Sequence, residues 1–420
     1  MSLLIKNAQL YCAGRFLRTD ALLEGGALAA LEADIPVSPR GEVLDRPNIF
    51  IFPGLIDVHV HLREPGFSYK ETIATGTLAA ARGGFTRVCA MPNLDPVPDS
   101  REHLAAEVAR IRECARVRVS PYGAITVGER GEALSDMAGM AADVAGFSDD
   151  GRGVQDEATM RRAMLEARRL GRPIVAHCED MSLIPRGGCA HEGAFSRAHG
   201  LAGIPSQSEW RQVERDLRLA EETGCRYHAC HVSTRESVEL IRAARARGVD
   251  ASCETAPHYL LLDDSMLKDE GRFKMNPPVR GAQDRRALIE GLVDGTVGMI
   301  ATDHAPHAAA EKAGGFAKSL MGVVGLETAF PVLYTGLVRE GVLSLEGLIA
   351  RMHDAPAARF GFADAGDWCV FDLGSRYRID PEAFVSMGRA TPFAGMEVYG
   401  ECLMTIVGGK IAWQNRTIAS

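Results

Sequence analysis

From about residue 52 to 355, short apolar runs alternate with longer segments in which apolar residues recur every three or four positions. The first kind suits strands buried on both faces, and the second suits helices with one buried face. We count eight apolar runs: LIDVHVH, TRVCAMPN, VRVSPYGAIT, VAGFSDD, PIVAHCED, RYHACHVS, DASCETAPHYLLL and VGMIATDHAPH. Helix-like segments such as KETIATGTLAAARGG, SREHLAAEVARIRECA, DEATMRRAMLEARRLG, SEWRQVERDLRLAEETG and TRESVELIRAARARG lie between several of them. Many of these end in the glycine that stops a helix. Eight strands alternating with helices over this length predict a (β/α)8 TIM-like barrel. A doubly wound sheet is the alternative, but no Gly-rich dinucleotide fingerprint follows the first strand.

The two ends have another rhythm. LLIKNAQLYC, RFLRTDALLEGGALAAL and GEVLDRPNIFIFPG at one end, and WCVFDLG, GMEVYGECLMTIVGG and KIAWQN at the other, read as short strands between turns. Neither end is long enough to bury a core alone, so the two are expected to pair into one small β-sandwich. The expected organisation is residues 1–51 with 357–420 as the sandwich, and 52–356 as the barrel.

Composition narrows the partners. A formal net charge of -8 and a pI near 5.9 over 420 residues argue against nucleic acid and anionic membranes and for a small-molecule substrate. The 10 cysteines form no Cys-x-x-Cys pair and read as reduced thiols in a cytoplasmic protein. MSLLIKNAQLYCAGRF is too short and polar for a secretory signal, and no apolar run approaches the roughly 20 residues a membrane span needs.

The apolar runs turn polar at their C-terminal ends. His59 and His61 follow the first, Asn93 the second, and Asp149 and Asp150 the fourth. His177 closes the fifth and His231 the sixth; Glu254 and His258 lie in the seventh; Asp303, His304 and His307 close the eighth. In a barrel these ends form one face, so the groups converge although they are far apart in sequence. Taken singly, each has a bland reading. His-x-His places two imidazoles on one strand face without requiring a metal, Asp149-Asp150 suits a turn, and Asp303 suits a cap. Together, four histidines and two aspartates on five strand ends read as a ligand set. Nitrogen and oxygen ligands without cysteine suit zinc or a similar divalent ion. Six are too many for one open tetrahedral site and fit two metals sharing a carboxylate. Spacing does not choose between Asp149 and Asp150.

These motifs resemble the amidohydrolase superfamily, and within it the class I bacterial dihydroorotases. The resemblance rests on GLIDVHVHLREPG, GGFTRVCAMPN, FSDDG, IVAHCED, HACHVST, PHYL, KMNPPVR, ATDHAPH and GVVGLET, with ATPFAGMEVYGECLMTIVGGK near the C-terminal end. It implies that His59, His61 and Asp303 hold one zinc, that His177 and His231 hold a second, and that Asp150 bridges them. It implies that Asp303 acts as general base and then general acid in opening or closing a cyclic amide. Arg63, Asn93 and His307 are implied to bind the carboxylate of dihydroorotate or carbamoyl-aspartate, and Asn276 to contact the ring. A homodimer, possible association with aspartate transcarbamoylase, and a role in pyrimidine synthesis are implied as well.

Related cyclic amidases bridge their metals with a carboxylated lysine, and this chain has no lysine between Lys70 and Lys268. That gap argues against an allantoinase or hydantoinase-like activity. The six intact ligands argue against a non-catalytic partner of aspartate transcarbamoylase. For Arg63 alone, a surface ion pair with Glu64 or Glu71 is the bland alternative; two residues past the His pair, the substrate carboxylate is the expected partner. One segment departs from the family pattern: in GGFAKSLMGVVGLET, Ser319, Leu320 and Met321 precede Gly322 where the family commonly has Ala-Pro.

Overall fold

The computed structural model describes residues 2–25, 27–37, 41–363 and 365–415. Five strands come first: β1 (Ser2–Cys12), β2 (Arg15–Glu24), β3 (Ala27–Glu32), β4 (Glu42–Leu44) and β5 (Ile49–Pro53). The inner strands follow: β6 (Leu55–Val60), β7 (Phe85–Ala90), β8 (Arg118–Pro121), β9 (Gly123–Ala124), β10 (Phe147–Ser148) and β11 (Ile174–Ala176). A small ladder of β12 (Ala190–His191) and β13 (Gly203–Ile204) interrupts them before β14 (Tyr227–Ala229), β15 (Ala251–Thr255) and β16 (Met299–Ile300). The chain then returns to the first sheet with β17 (Trp368–Arg378), β18 (Glu397–Val407) and β19 (Lys410–Gln414).

The inner strands run parallel in two sheets, β6-β7-β8 and β9-β10-β11-β14-β15-β16. The sheets adjoin at both edges. Tyr122 N donates to Ala90 O at 2.9 Å and Gly123 N to Gly146 O at 3.1 Å, while Val60 bridges His304 in parallel on the other side. Helices connect the strands and begin where polar caps predict. Thr72, Ser100, Asp156 and Thr234 each accept from a main-chain N–H in the first turn of the helices Ile73–Arg82, Arg101–Cys114, Glu157–Arg169 and Arg235–Ala246. Gly224, at φ +66°, ends the helix Gln207–Thr223.

Both ends of the chain pair through one mixed sheet. Its order is β19-β18-β17-β5-β1-β2-β3, with β4 also on β1. The reason lies in β5, which takes β1 in parallel on one side and β17 antiparallel on the other. Alternation divides the faces. Ile49, Ile51 and Val370 join Leu3, Ile5 and Met404 in a core of the sheet's own. Phe52, Cys369 and Phe371 turn the other way, into the main core beside Phe330. Among the described residues no helix is long and apolar enough to cross a membrane, and all ten cysteines are free thiols.

Candidate active site

His59 and His61 stand two residues apart at the end of β6, so one strand face carries both imidazoles. Asp150 follows β10, His177 follows β11, His231 follows β14 and Asp303 follows β16. All six are buried. Asp150 is the hub. Its Oδ1 lies 3.4 Å from His59 Nε2, 3.7 Å from His177 Nδ1 and 3.6 Å from His231 Nε2. Its Oδ2 lies 3.5 Å from His61 Nε2. Asp303 Oδ1 is 3.2 Å from His61 Nε2 and 3.6 Å from His59 Nε2.

Two groups, His59–His61–Asp303 and His59–Asp150–His231, each bring three donor atoms within 4.8 Å of one another and can hold a metal ion. Asp149 is otherwise engaged. Its carboxylate accepts from Ile125 N at 2.8 Å, Thr126 N at 3.0 Å and the Thr126 hydroxyl. The structure thus separates two aspartates that spacing leaves equivalent.

The donor set fits a cation. Three of the four histidines turn one ring nitrogen to the centre and the other to an oxygen: His59 Nδ1 lies 3.3 Å from Glu254, His61 Nδ1 2.8 Å from Asn93 Oδ1, and His177 Nε2 3.4 Å from Glu179. Such outer partners fix tautomer and ring orientation at metal sites. His59 Nε2 and Asp150 Oδ1, both facing the centre, are buried without a hydrogen-bond partner, which costs free energy unless something binds there. Burial opposes charge on His59, yet the carboxylate of Asp150 raises its pKa well above the ordinary value. Burial opposes charge on Asp303 as well, and the histidines His61 and His59 still lower it to about 2. The cluster therefore favours positive charge at its centre.

A third group, His59–Cys230–Glu254, adjoins the same site. Burial pushes the Cys230 thiol well up, away from the thiolate a metal needs. Glu254 serves otherwise: Oε1 accepts from His231 N at 3.0 Å and faces His59, while Oε2 meets His228. One carboxylate thus registers two candidate ligands, His59 and His231, from different strands. Its signal in the sequence is an acidic residue inside an apolar strand. Glu179 has its own, two residues beyond His177.

A cavity of about 250 Å³ opens over the cluster, and Arg63, Asn93, Asn276, His307, Met321 and Gly322 are among the residues lining it. The six expected ligands and the four expected substrate contacts are therefore brought together. Arg63 faces neither Glu64 nor Glu71. Glu64 accepts from Arg110 Nη2 at 3.0 Å and Ile73 N at 2.8 Å, and Glu71 from Met387 N and the Ser386 hydroxyl. Arg63 Nε donates to Pro306 O at 3.3 Å. Asn93 joins the ligands to the cavity: its Oδ1 faces His61, its Nδ2 donates to Asp150 at 3.3 Å, and one amide N–H is left over. Asn276 Nδ2 donates to Glu179 at 3.1 Å, leaving its buried Oδ1 unpartnered. His307 Nε2 pairs with Met321 O at 2.7 Å, and burial with Arg63 and Lys70 pushes its pKa down to about 4. Arg63, His231 and Asp303 have φ of +60°, +34° and +48°. Such geometry costs about 1–3 kcal/mol per residue and concentrates at functional sites. His258 departs from expectation: it lies in the short helix Pro257–Leu261, not in a strand.

Comparison with known proteins bears on this site. Residues 49–237 match the family described as dihydro-orotase-like. The dihydroorotase of Bacillus cereus is 49% identical over 427 residues, covering 99% of both chains. That of Bacillus anthracis is 50% identical over 428 residues, again covering 99% of both. Among solved structures, an L-hydantoinase (dihydropyrimidinase) from Arthrobacter aurescens superposes with a TM-score of 0.86 at 27% identity, covering 98% of this chain and 96% of that one. A D-hydantoinase from a Thermus species superposes with a TM-score of 0.83 at 24% identity, covering 98% and 95%.

Proposed function

The chain belongs to the dihydroorotase family, and on that premise we propose that it interconverts dihydroorotate and N-carbamoyl-aspartate in pyrimidine biosynthesis. One observation carries the reading: Arg63, whose guanidinium forms no close ion pair among the described residues, shares a cavity with a cluster of histidines and aspartates suited to metal. The substrate carries a carboxylate, which the fork of Arg63 matches.

The ligand set suits zinc, two ions per chain. His59, His61 and Asp303 would hold one, His177 and His231 the other, with Asp150 shared. When bound, the metals would supply Lewis acidity at the ring carbonyl and lower the pKa of water. The chain's own groups do the rest. Arg63 and the spare N–H of Asn93 hold the substrate carboxylate, His307 joins them by turning its single N–H from Met321 O, and Asn276 fixes the ring. Asp303, ionised at neutral pH, takes the proton of the attacking water and passes it to the leaving ring nitrogen. In the closing direction the same carboxylate runs the transfer backwards.

We take the inner strands as a closed (β/α)8 barrel over 52–356, supported by the bonds at both sheet edges. Residues 1–51 and 357–420 we take as the second domain, although β5 and its hydrogen bonds run to Pro53. A cytoplasmic homodimer, able to associate with aspartate transcarbamoylase, completes the proposal.

The likeness in fold to hydantoinases makes a hydantoinase-like activity the second reading. A turnover assay with zinc added, run with dihydroorotate beside hydantoin and allantoin, separates the two. Turnover of dihydroorotate above the others is expected. Clear turnover of allantoin or hydantoin with none of dihydroorotate overturns the main reading.

A further inference from the structure

Lys312 is buried, and its Nζ donates to three main-chain carbonyls: Lys274 O at 3.0 Å, Leu320 O at 2.6 Å and Gly322 O at 2.7 Å. Lys274 belongs to the segment that continues into Asn276; Leu320 and Gly322 flank Met321. Asn276, Met321 and Gly322 all line the cavity over the cluster. One ammonium thus joins two stretches of the cavity wall. The joint is reinforced. Gly322 N donates to Lys274 O at 3.1 Å, Leu320 N to Glu311 O at 2.9 Å, and Lys274 Nζ to Phe316 O at 2.5 Å. Met321 O, held between the two anchored carbonyls, pairs with His307.

The arrangement suits lysine in particular. Only an ammonium offers three donors from one atom to three converging acceptors. Burial and nearby Lys274 push the amine down to about 7, while the three carbonyls pull towards the charged form. Gly322 sits at φ +127°, and a Cβ there would come 2.8 Å from Ala305 O and 3.0 Å from His307 Nε2. The wall therefore passes close to His307, and its path must be held.

We propose that Lys312 is a positioning residue for substrate: it gathers the carbonyls of Lys274, Leu320 and Gly322 and so sets the Met321–Gly322 wall against Asn276 and His307. The proposal rests on the dihydroorotase reading for its substrate. It assigns work to a loop whose Ser319-Leu320-Met321 departs from the family pattern. The side chain of Leu320 is exposed, and what the loop contributes at that position is a carbonyl.

The test compares the metal-loaded parent with Lys312→Met, which keeps the aliphatic stem and removes the three donors. KM for dihydroorotate is expected to rise about tenfold or more, with kcat changed by less than about threefold and bound metal per chain unchanged. Unchanged KM overturns the proposal; so does metal lost together with kcat at constant KM. Hydrogen exchange on the parent and on Lys312→Arg, which keeps the charge but spreads its donors, gives a second readout where Lys312→Met does not fold. The amides of Leu320 and Gly322 are expected to exchange as slowly as those of the inner strands in the parent and about tenfold faster or more in Lys312→Arg; equal exchange in the two overturns the latch. A parent that turns over no dihydroorotate would sink the functional reading instead, and the exchange measurement would still report on the latch.

Discussion

Across one cavity the molecule holds two walls by different means. On the strand-end side, side chains hold side chains: Glu254, Asn93 and Glu179 each orient an imidazole. On the loop side, a side chain holds backbone: Lys312 collects carbonyls, and the residues that supply them are interchangeable in kind. The difference matters for change. A ligand wall built from named side chains tolerates few substitutions. A wall built from carbonyls tolerates many at Leu320 or Met321, provided the collecting ammonium and the Gly322 backbone remain.

Four substitutions probe the contrast, in decreasing order of expected effect. Asp303→Asn removes both a proposed ligand and the proposed proton carrier, and kcat should fall by about 10³, read in a zinc-supplemented assay. If kcat falls by less than about tenfold, Asp303 does not carry the proton. Glu254→Gln should lower metal affinity by about 10–100-fold in chelator competition, with a changed visible spectrum when cobalt replaces zinc. Unaltered affinity and spectrum would mean that the strand-end wall does not depend on its outer carboxylate. Arg63→Ala should raise KM for dihydroorotate about tenfold while bound metal stays constant; equal losses of both would make Arg63 structural. Ser100→Ala, far from either wall, removes the N-cap bond to His103 N and should cost about 1 kcal/mol in denaturant unfolding, with metal content and KM untouched. Any shift in KM from that change would show that global stability leaks into the kinetic readings.

The same contrast explains what could be read from the sequence. That His59, His61, His177, His231 and Asp303 converge is legible in the sequence, because polar residue types interrupt apolar strands visibly at one end of each. Asp149 and Asp150 were not separable by spacing, because the choice depends on main-chain N–H groups at Ile125 and Thr126, which any residue would supply. Lys312 gave no signal, since a lone lysine in a polar loop looks like a solvated one until its carbonyl acceptors are placed. His258 was misplaced because Pro257, suited to a first helical turn, ends the strand early. The two ends of the chain were correctly expected to pair. That they form one sheet depends on β5 having one partner on each side, a tertiary choice with no local pattern.

That sheet also bears on how the protein is made. Phe52 O accepts from the Cys369 thiol, 317 positions further along the sequence. During synthesis β5 leaves the ribosome long before β17 exists to cover it. Until then Phe52 lacks Phe371, and the backbone of β5 is an open edge on which another chain can pair. Every strand that carries a candidate metal ligand has been made by that time. The catalytic half can thus gather early, while the sheet that clasps it closes late. The interval between is when an unfinished chain is most exposed to aggregation and has most need of a chaperone.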